Sequence, residues 1–222
     1  MKTAENELSL AKNARISPRQ RLLAAAAELF YRHGIRVVGV DAIAEAAGTN
    51  KMTLYRHFAS KDELLAEYLR EMGKRGDQCW GAYEAAHPGD ALAQLRAWLA
   101  EMADHLANPD DRGCALANAA VELPDKAHPA RRVIEKLKLG QRDRLAELAR
   151  KAGLSEPEML ADELYLLLEG ARVTAQSVGA EGLGARLIRM GEAMIASHVS
   201  GKGWRVSVRA TPVRAGNDEQ KS

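Results

Sequence analysis

Apolar residues recur at three- and four-residue spacing along most of this chain, and that helical period sets the first reading of its fold. Leu22, Leu23, Ala26, Leu29 and Phe30 form one such face. Ser17 is placed to cap the helix, Pro18 falls at its first position, and Gln20 stands where a capping box needs Glu or Gln. Gly34 predicts a left-handed stop. A second, short helix runs from Val40 to Ala47 with Ile43 and Ala47 on one side, and Gly48 can supply the positive dihedral of a tight turn. Asn50 caps a third helix reaching about His57, in which Leu54 and Phe58 face inward. Lys51, Met52, Thr53, Tyr55, Arg56 and His57 fall on its outside or rims. Ser60 and Glu63 predict a second capping box, opening a long fourth helix through Leu64, Leu65, Tyr68, Leu69 and Met72. Gly73, Gly76 and Gly81 are expected to loosen its far end before the turn at 87–89.

Five further helical stretches follow, at about 90–107, 112–122, 127–152, 156–178 and 183–199, with breaks at Pro109, Pro124, Gly153 and Gly179 to Gly184. Aromatic residues make up only 5% of the chain while Ala, Leu, Glu and Arg abound, which agrees with an all-α fold: a three-helix head followed by a larger helical body. The expected organisation is a flexible arm over 1–16, a helix-turn-helix head over 17–62, a body over 63–200 and a disordered basic tail over 201–222.

Charge sharpens the contrast between head and body. Residues 1–61 carry ten Lys/Arg against five acids, a net of +5, and the whole chain is +2, so the remainder is −3. A basic end on a mildly acidic body suits a polyanion-binding head. Cys79 and Cys114 have no metal-ligand spacing, and His87, His105 and His128 are scattered and show no metal pattern. Residues 1–17 contain acids and no apolar core, and no uncharged apolar run approaches the ~20 residues of a membrane span. A cytoplasmic protein with reduced thiols, without metal or cofactor, is the expectation.

Helix-turn-helix chemistry requires a rigid scaffold that presents one short helix to a major groove ~12 Å wide. Ala44, Gly48 and Leu54 keep the second and third helices close, leaving the polar residues of the third outward. Lys51 and Thr53 can reach base edges or phosphates, and Tyr55 and His57 suit phosphate oxygens. Lys61 sits at the next helix N-terminus, which also favours an anion. The competing reading of the same pattern is an ordinary helical hairpin with a solvated polar face.

Ile43-Ala44, Ala47-Gly48, Leu54-Tyr55-Arg56-His57-Phe58 and Lys61 with Leu64-Leu65 resemble, in order and spacing, the N-terminal pattern of TetR-type transcriptional regulators. The resemblance covers about residues 18–65, roughly a fifth of the chain. It implies that the first three helices bind double-stranded operator DNA and that the body binds a small-molecule effector and forms a homodimer. On that basis the chain is a ligand-responsive repressor with DNA contacts on Asn50, Lys51, Thr53, Tyr55, Arg56, His57 and Lys61. Two positions depart from the pattern. Gly39 stands before the second helix where the family often has Ser or Thr, and Met52 stands near the start of the third where Gly is common. Met52 could touch a thymine methyl, which adds it to the candidate DNA-binding residues.

In the body, Leu164, Leu167, Leu168, Ala171 and Ala175, then Leu187, Met190, Met194 and Ile195, make the last two helices apolar over wide faces. These faces either bury within their own domain or, as the resemblance implies, build a two-fold four-helix interface. Trp80, Tyr83, Trp98, Met102, His105, Cys114 and Gln176 are candidates for an effector pocket, with core packing as the alternative for each. Cys114 follows Gly113 at a helix start, where a thiol can become reactive, although a small buried hydrophobe is the plainer reading. No nucleophile elbow, paired carboxylates or phosphate loop suggests an enzyme. A head retained in an adaptor that acts through protein contacts remains the alternative to a DNA-binding regulator.

Overall fold

The computed structural model describes residues 16–108 and 112–199; the expected arm, apart from Ile16, and the expected tail lie outside them. Among the described residues there are nine α-helices and no strand. The head holds α1 (Pro18–His33), α2 (Val40–Ala46) and α3 (Lys51–His57). The body holds α4 (Lys61–Ala86), α5 (Ala91–Ala107), α6 (Ala115–Glu122), α7 (Pro129–Lys151), α8 (Pro157–Val178) and α9 (Leu183–Ser197). None of these helices is long and apolar enough to cross a membrane.

Local chemistry accounts for most of the helix ends. At α1 the capping box is complete: Ser17 Oγ accepts the Gln20 N–H at 3.3 Å and Gln20 Oε1 accepts the Ser17 N–H at 3.1 Å. The second box is displaced by one residue. Ser60 Oγ accepts the Glu63 N–H at 3.1 Å, but the Glu63 carboxylate takes the N–H of Ala59 at 2.6 Å instead of that of Ser60. Gly34 does end α1, but at φ 88° and ψ 157° it lies outside the left-handed helical region expected of it. That conformation is open essentially to glycine alone.

Two apolar cores divide the molecule. One belongs to the body and centres on Leu95, Leu99, Leu145, Leu160 and Leu164. The other fills the head with Leu22, Phe30, Ile43, Leu54 and Phe58, then continues without a break through Leu64, Leu65, Tyr68 and Leu69 of α4. It ends on Leu116 and Ala119 of α6 and Ala130 and Ile134 of α7. The first turns of α4 are therefore head core by packing and body by connectivity. Helix α4 is unbroken at its glycines. A Cβ on Gly73 would lie 2.4 Å from Leu137 of α7, so this glycine permits close helix packing where the sequence suggested a loosened end.

The body helices pack chiefly as α7 on α8, α5 on α9 and α4 on α7. The end of α9 is pinned to the α7–α8 connection: Ser155 N–H and Oγ–H both donate to the His198 carbonyl, at 2.9 and 3.0 Å. Buried His198 meets the Ser155 carbonyl through Nδ1 at 2.6 Å. A half-buried ion cluster joins α7 to α8, with Lys138 on Glu169, Arg172 on Glu169 at 3.2 Å, and the Lys138 ammonium 5.5 Å from the Tyr165 ring centre.

Candidate nucleic-acid interface

Helix α3 is about 10 Å long at 1.5 Å per residue, short enough to lie across a major groove, and its position is set from three sides. Leu54 is fully buried and Phe58 is 1% exposed, so the inner face of α3 is locked into the head core. The Arg19 guanidinium lies 5.1 Å from the Phe58 ring centre and donates to Glu67 of α4 at 2.8 Å. Glu67 is partly buried, which alone would raise its pKa; hydrogen bonds from Arg19 and Arg70 outweigh burial and hold the carboxyl below its ordinary range.

The turn between α2 and α3 is a Schellman motif. Gly48 N–H donates to the Glu45 carbonyl and Thr49 N–H to the Ala44 carbonyl, both at 2.9 Å, with Gly48 at φ 62°. Arg21 braces this turn from α1, donating through Nε to the Ala47 carbonyl at 3.0 Å. Sequence spacing did not reveal this role, because an arginine one turn into a helix looks like any solvated charge. Gly39 offers no side-chain cap to α2. In partial compensation Asp41, in the first turn of α2, pairs with Lys51 at 3.3 Å.

At the start of α3, Asn50 Oδ1 accepts the Thr53 N–H at 2.9 Å and the Thr53 hydroxyl at 3.1 Å, so both residues secure the helix end. Met52 is 75% exposed and Tyr55 45% exposed, and Arg56 is also exposed. Tyr55, Arg56 and His57 make no hydrogen bond or ion pair with any described residue, whereas Arg19, Arg21 and Lys61 are engaged within the fold. Lys61 departs from its expected place as an outward anion ligand. Its ammonium donates to the Ile35 carbonyl at 2.6 Å and lies 5.9 Å from the Phe30 ring centre; burial lowers its pKa. It braces the α1–α2 loop.

The seven effector-pocket candidates are not brought together. Trp80 and Trp98 stack with centroids 6.4 Å apart, Tyr83 meets Trp80 edge-on at 5.5 Å, and Tyr83 donates to Glu101 at 2.7 Å. Burial, then Glu101, push the Tyr83 pKa well above its usual value. These rings form the packing between α4 and α5. Met102 Sδ lies 3.4 Å from Arg172, exposed His105 lies beside Glu101, and half-buried Cys114 precedes α6. Gln176 alone of the seven lines a cavity of about 790 Å³ between α1, α6 and α8. Among the described residues no three metal-binding side chains cluster.

The last two helices bury Leu164, Leu168, Ala171, Leu187 and Ile195 against their own domain. The interface expected on those residues is thereby corrected. The large apolar positions left outside are Met159, Leu166, Val173 and Val178 of α8, exposed by 54, 70, 63 and 81%, and Ile188 and Met190 of α9, by 39 and 45%.

A basic-ended helix-turn-helix head on an all-helical body defines the class of protein: a DNA-binding transcriptional regulator. The profile of the bacterial regulatory proteins, tetR family, matches residues 22–68. A TetR-family regulator from Streptomyces coelicolor superposes with a TM-score of 0.77 at 31% identity, over 82% of this chain and 95% of that one. A TetR-type regulator from Streptomyces avermitilis gives 0.70 at 33% identity, over 82% and 98%. The chain belongs to the TetR family of transcriptional regulators. Among curated relatives, the repressor KstR2 of Mycobacterium tuberculosis is 46% identical over 54 residues, 24% of this chain and 27% of that one. The activator FasR of Mycolicibacterium smegmatis is 46% identical over 52 residues, 23% and 24% respectively. The chain thus matches about a quarter of the length of these relatives.

Proposed function

We propose that this protein is a cytoplasmic, homodimeric, sequence-specific operator-binding regulator, acting as a repressor that a small-molecule effector releases. The observation that carries the reading is the outer face of α3, where Tyr55, Arg56 and His57 have no partner among the described residues while neighbouring cations are engaged internally. An uncommitted guanidinium and phenol on a rigid short helix suit base edges and phosphate oxygens. Asn50, Lys51, Met52 and Thr53 complete the contact set. The Lys51–Asp41 pair is exposed and weak enough to exchange for phosphate.

Selection of bound fragments from a random DNA pool, at fixed salt, tests the reading. An enriched pseudo-palindrome is expected, with half-sites related by the dimer axis. Enrichment of nothing beyond bulk DNA removes it in favour of an adaptor. On the selected operator, Arg56→Ala is expected to weaken binding about 5- to 100-fold. If Arg56 holds a phosphate, the slope of log K against log salt flattens by about 0.9 for each of the two heads. Tyr55→Phe should cost about 2- to 10-fold per head for one lost hydrogen bond. Unchanged affinity in both variants takes these residues out of the interface.

Dimerisation is assigned to the stripe Met159, Leu166 and Val173, spaced seven apart on α8. Large apolar side chains on one face of α8, left outside a complete core, suit a four-helix interface. Leu166→Glu places a carboxylate in that interface. Sedimentation should show dimer affinity reduced at least tenfold with helicity unchanged; a dimer of wild-type strength places the interface elsewhere.

A further inference from the structure

A cavity of about 790 Å³ lies between head and body, and the effector candidates read from the sequence, Gln176 apart, are elsewhere. Phe30 and Ile35 of the head form one wall, Asn118, Ala119 and Glu122 of α6 another, and Gln176 of α8 a third. Tyr68 of α4 also lines it. That residue is 6% exposed, yet its hydroxyl has no hydrogen-bond partner among the described residues. Among the described residues only the Tyr165 hydroxyl is both sealed from solvent and without a partner, so the Tyr68 hydroxyl opens onto this space and its O–H is available to a molecule there. We propose that this head–body cavity is an effector site for an uncharged, planar aromatic molecule carrying a carbonyl-type acceptor, held between Phe30 and α6 and accepting a hydrogen bond from Tyr68.

The ligand chemistry follows from the walls. Phe30 and Tyr68, with ring centres 5.9 Å apart, and the alanines of α6 favour a flat apolar body. Burial raises the Tyr68 pKa to about 12, so the hydroxyl is a donor at neutral pH and calls for an acceptor. Glu122 keeps its carboxylate at the rim, where it accepts the Arg36 N–H at 2.9 Å and disfavours an anion. Asn118 and Gln176 amides both donate to the Arg112 carbonyl, leaving their oxygens to line a polar edge.

The position gives the site its consequence. One wall carries α1 and the loop leading to the DNA-binding helices, and another is α8, the helix assigned above to the dimer. The Arg36–Glu122 hydrogen bond and the contact of Tyr31 with Gly113, at 3.3 Å, cross the same gap. A molecule seated there contacts head and body at once and biases the angle between them, so it binds the DNA-free form more tightly. By linkage, operator lowers ligand affinity by the factor by which ligand lowers operator affinity. This inference rests on the regulator reading for its effect on DNA, and on the cavity alone for binding.

Nile red, a neutral planar aromatic with one carbonyl, is the probe. Titrated into the full-length protein, it should saturate at one site per chain with blue-shifted emission. Ala117→Trp, which fills the cavity from a half-buried position on α6, should lose the site. Tyr68→Phe should weaken it about 5- to 10-fold and keep the fold, since the lost hydroxyl bonds nothing in the protein. Absence of saturable binding, or binding unchanged in either variant, overturns the proposal; circular dichroism confirms folding, and Tyr68→Phe decides if Ala117→Trp unfolds. Dye binding as described with no enriched DNA sequence would remove the regulator reading and keep the cavity. An enriched operator with no dye binding would do the reverse, and equal reciprocal fold-changes would support both.

Discussion

Phe58→Ala is expected to cost about 3–5 kcal/mol and to abolish operator binding by melting the head. Phe58 is the residue at which α3 stops and the chain turns extended, at φ −140° and ψ 121°, before α4 begins. Its ring is 1% exposed, sits in the core with Leu22, Ile43 and Leu54, and carries the Arg19 guanidinium on one face. A head of about fifty residues has little apolar surface to spare, and a void at this point separates α3 from its scaffold. Chemical denaturation should show the fall in stability. Amide exchange should localise it, with protection lost over residues 18–58 while α8 and α9 keep theirs. A loss under about 1 kcal/mol would mean that the head collapses around the missing ring, contrary to the packing described.

Gly34→Ala is expected to destabilise by about 2–4 kcal/mol from a single added methyl group. The cost has two sources acting at one place. Gly34 occupies φ 88° and ψ 157°, and an added Cβ would lie 3.1 Å from both Glu122 carboxylate oxygens. One of those oxygens accepts the Arg36 N–H, so relief of the clash comes by opening the contact between the α1–α2 loop and α6. Operator affinity should fall with stability, since the loop leads directly into α2. Gly140→Ala is the matched control. Gly140 lies inside α7 with nothing within 4 Å of its Cβ, and the substitution should raise stability by about 0.5–1 kcal/mol. Thermal melts of the two variants moving in the same direction would contradict the account of Gly34.

Much of the head was legible because its signals are local. The Ser17–Gln20 box, Pro18, the Gly48 turn, the Asn50 cap and the inward pair Leu54 and Phe58 all lie within a few residues of what they control. The Glu63 carboxylate reached one residue further than its motif suggested, to Ala59, which spacing alone does not distinguish. The body was legible in its helix limits, which agree to within about three residues, and much less in what its side chains do. Trp80, Tyr83 and Trp98 carry the features of a ligand pocket and those of a core in equal measure. Their stacking across α4 and α5 depends on how two helices cross.

The amino-acid sequence by itself determined the all-helical class, the order of the elements and the set of residues on the outer face of α3, because periodicity, caps and turn glycines act over one or two helical turns. The tertiary structure alone decided which cations are occupied within the fold, since Arg19 meets Glu67 and Lys61 meets Ile35 across 48 and 26 residues of chain. It also decided which faces of the last two helices are core, placing Leu164 and Leu168 inside and Leu166 outside through the packing of α8 on α7. And it made the head–body cavity, whose walls come from α1, α4, α6 and α8 and whose Tyr68 hydroxyl has no partner among the described residues. Such a site exists only when segments more than a hundred residues apart meet, and no local pattern encodes that meeting.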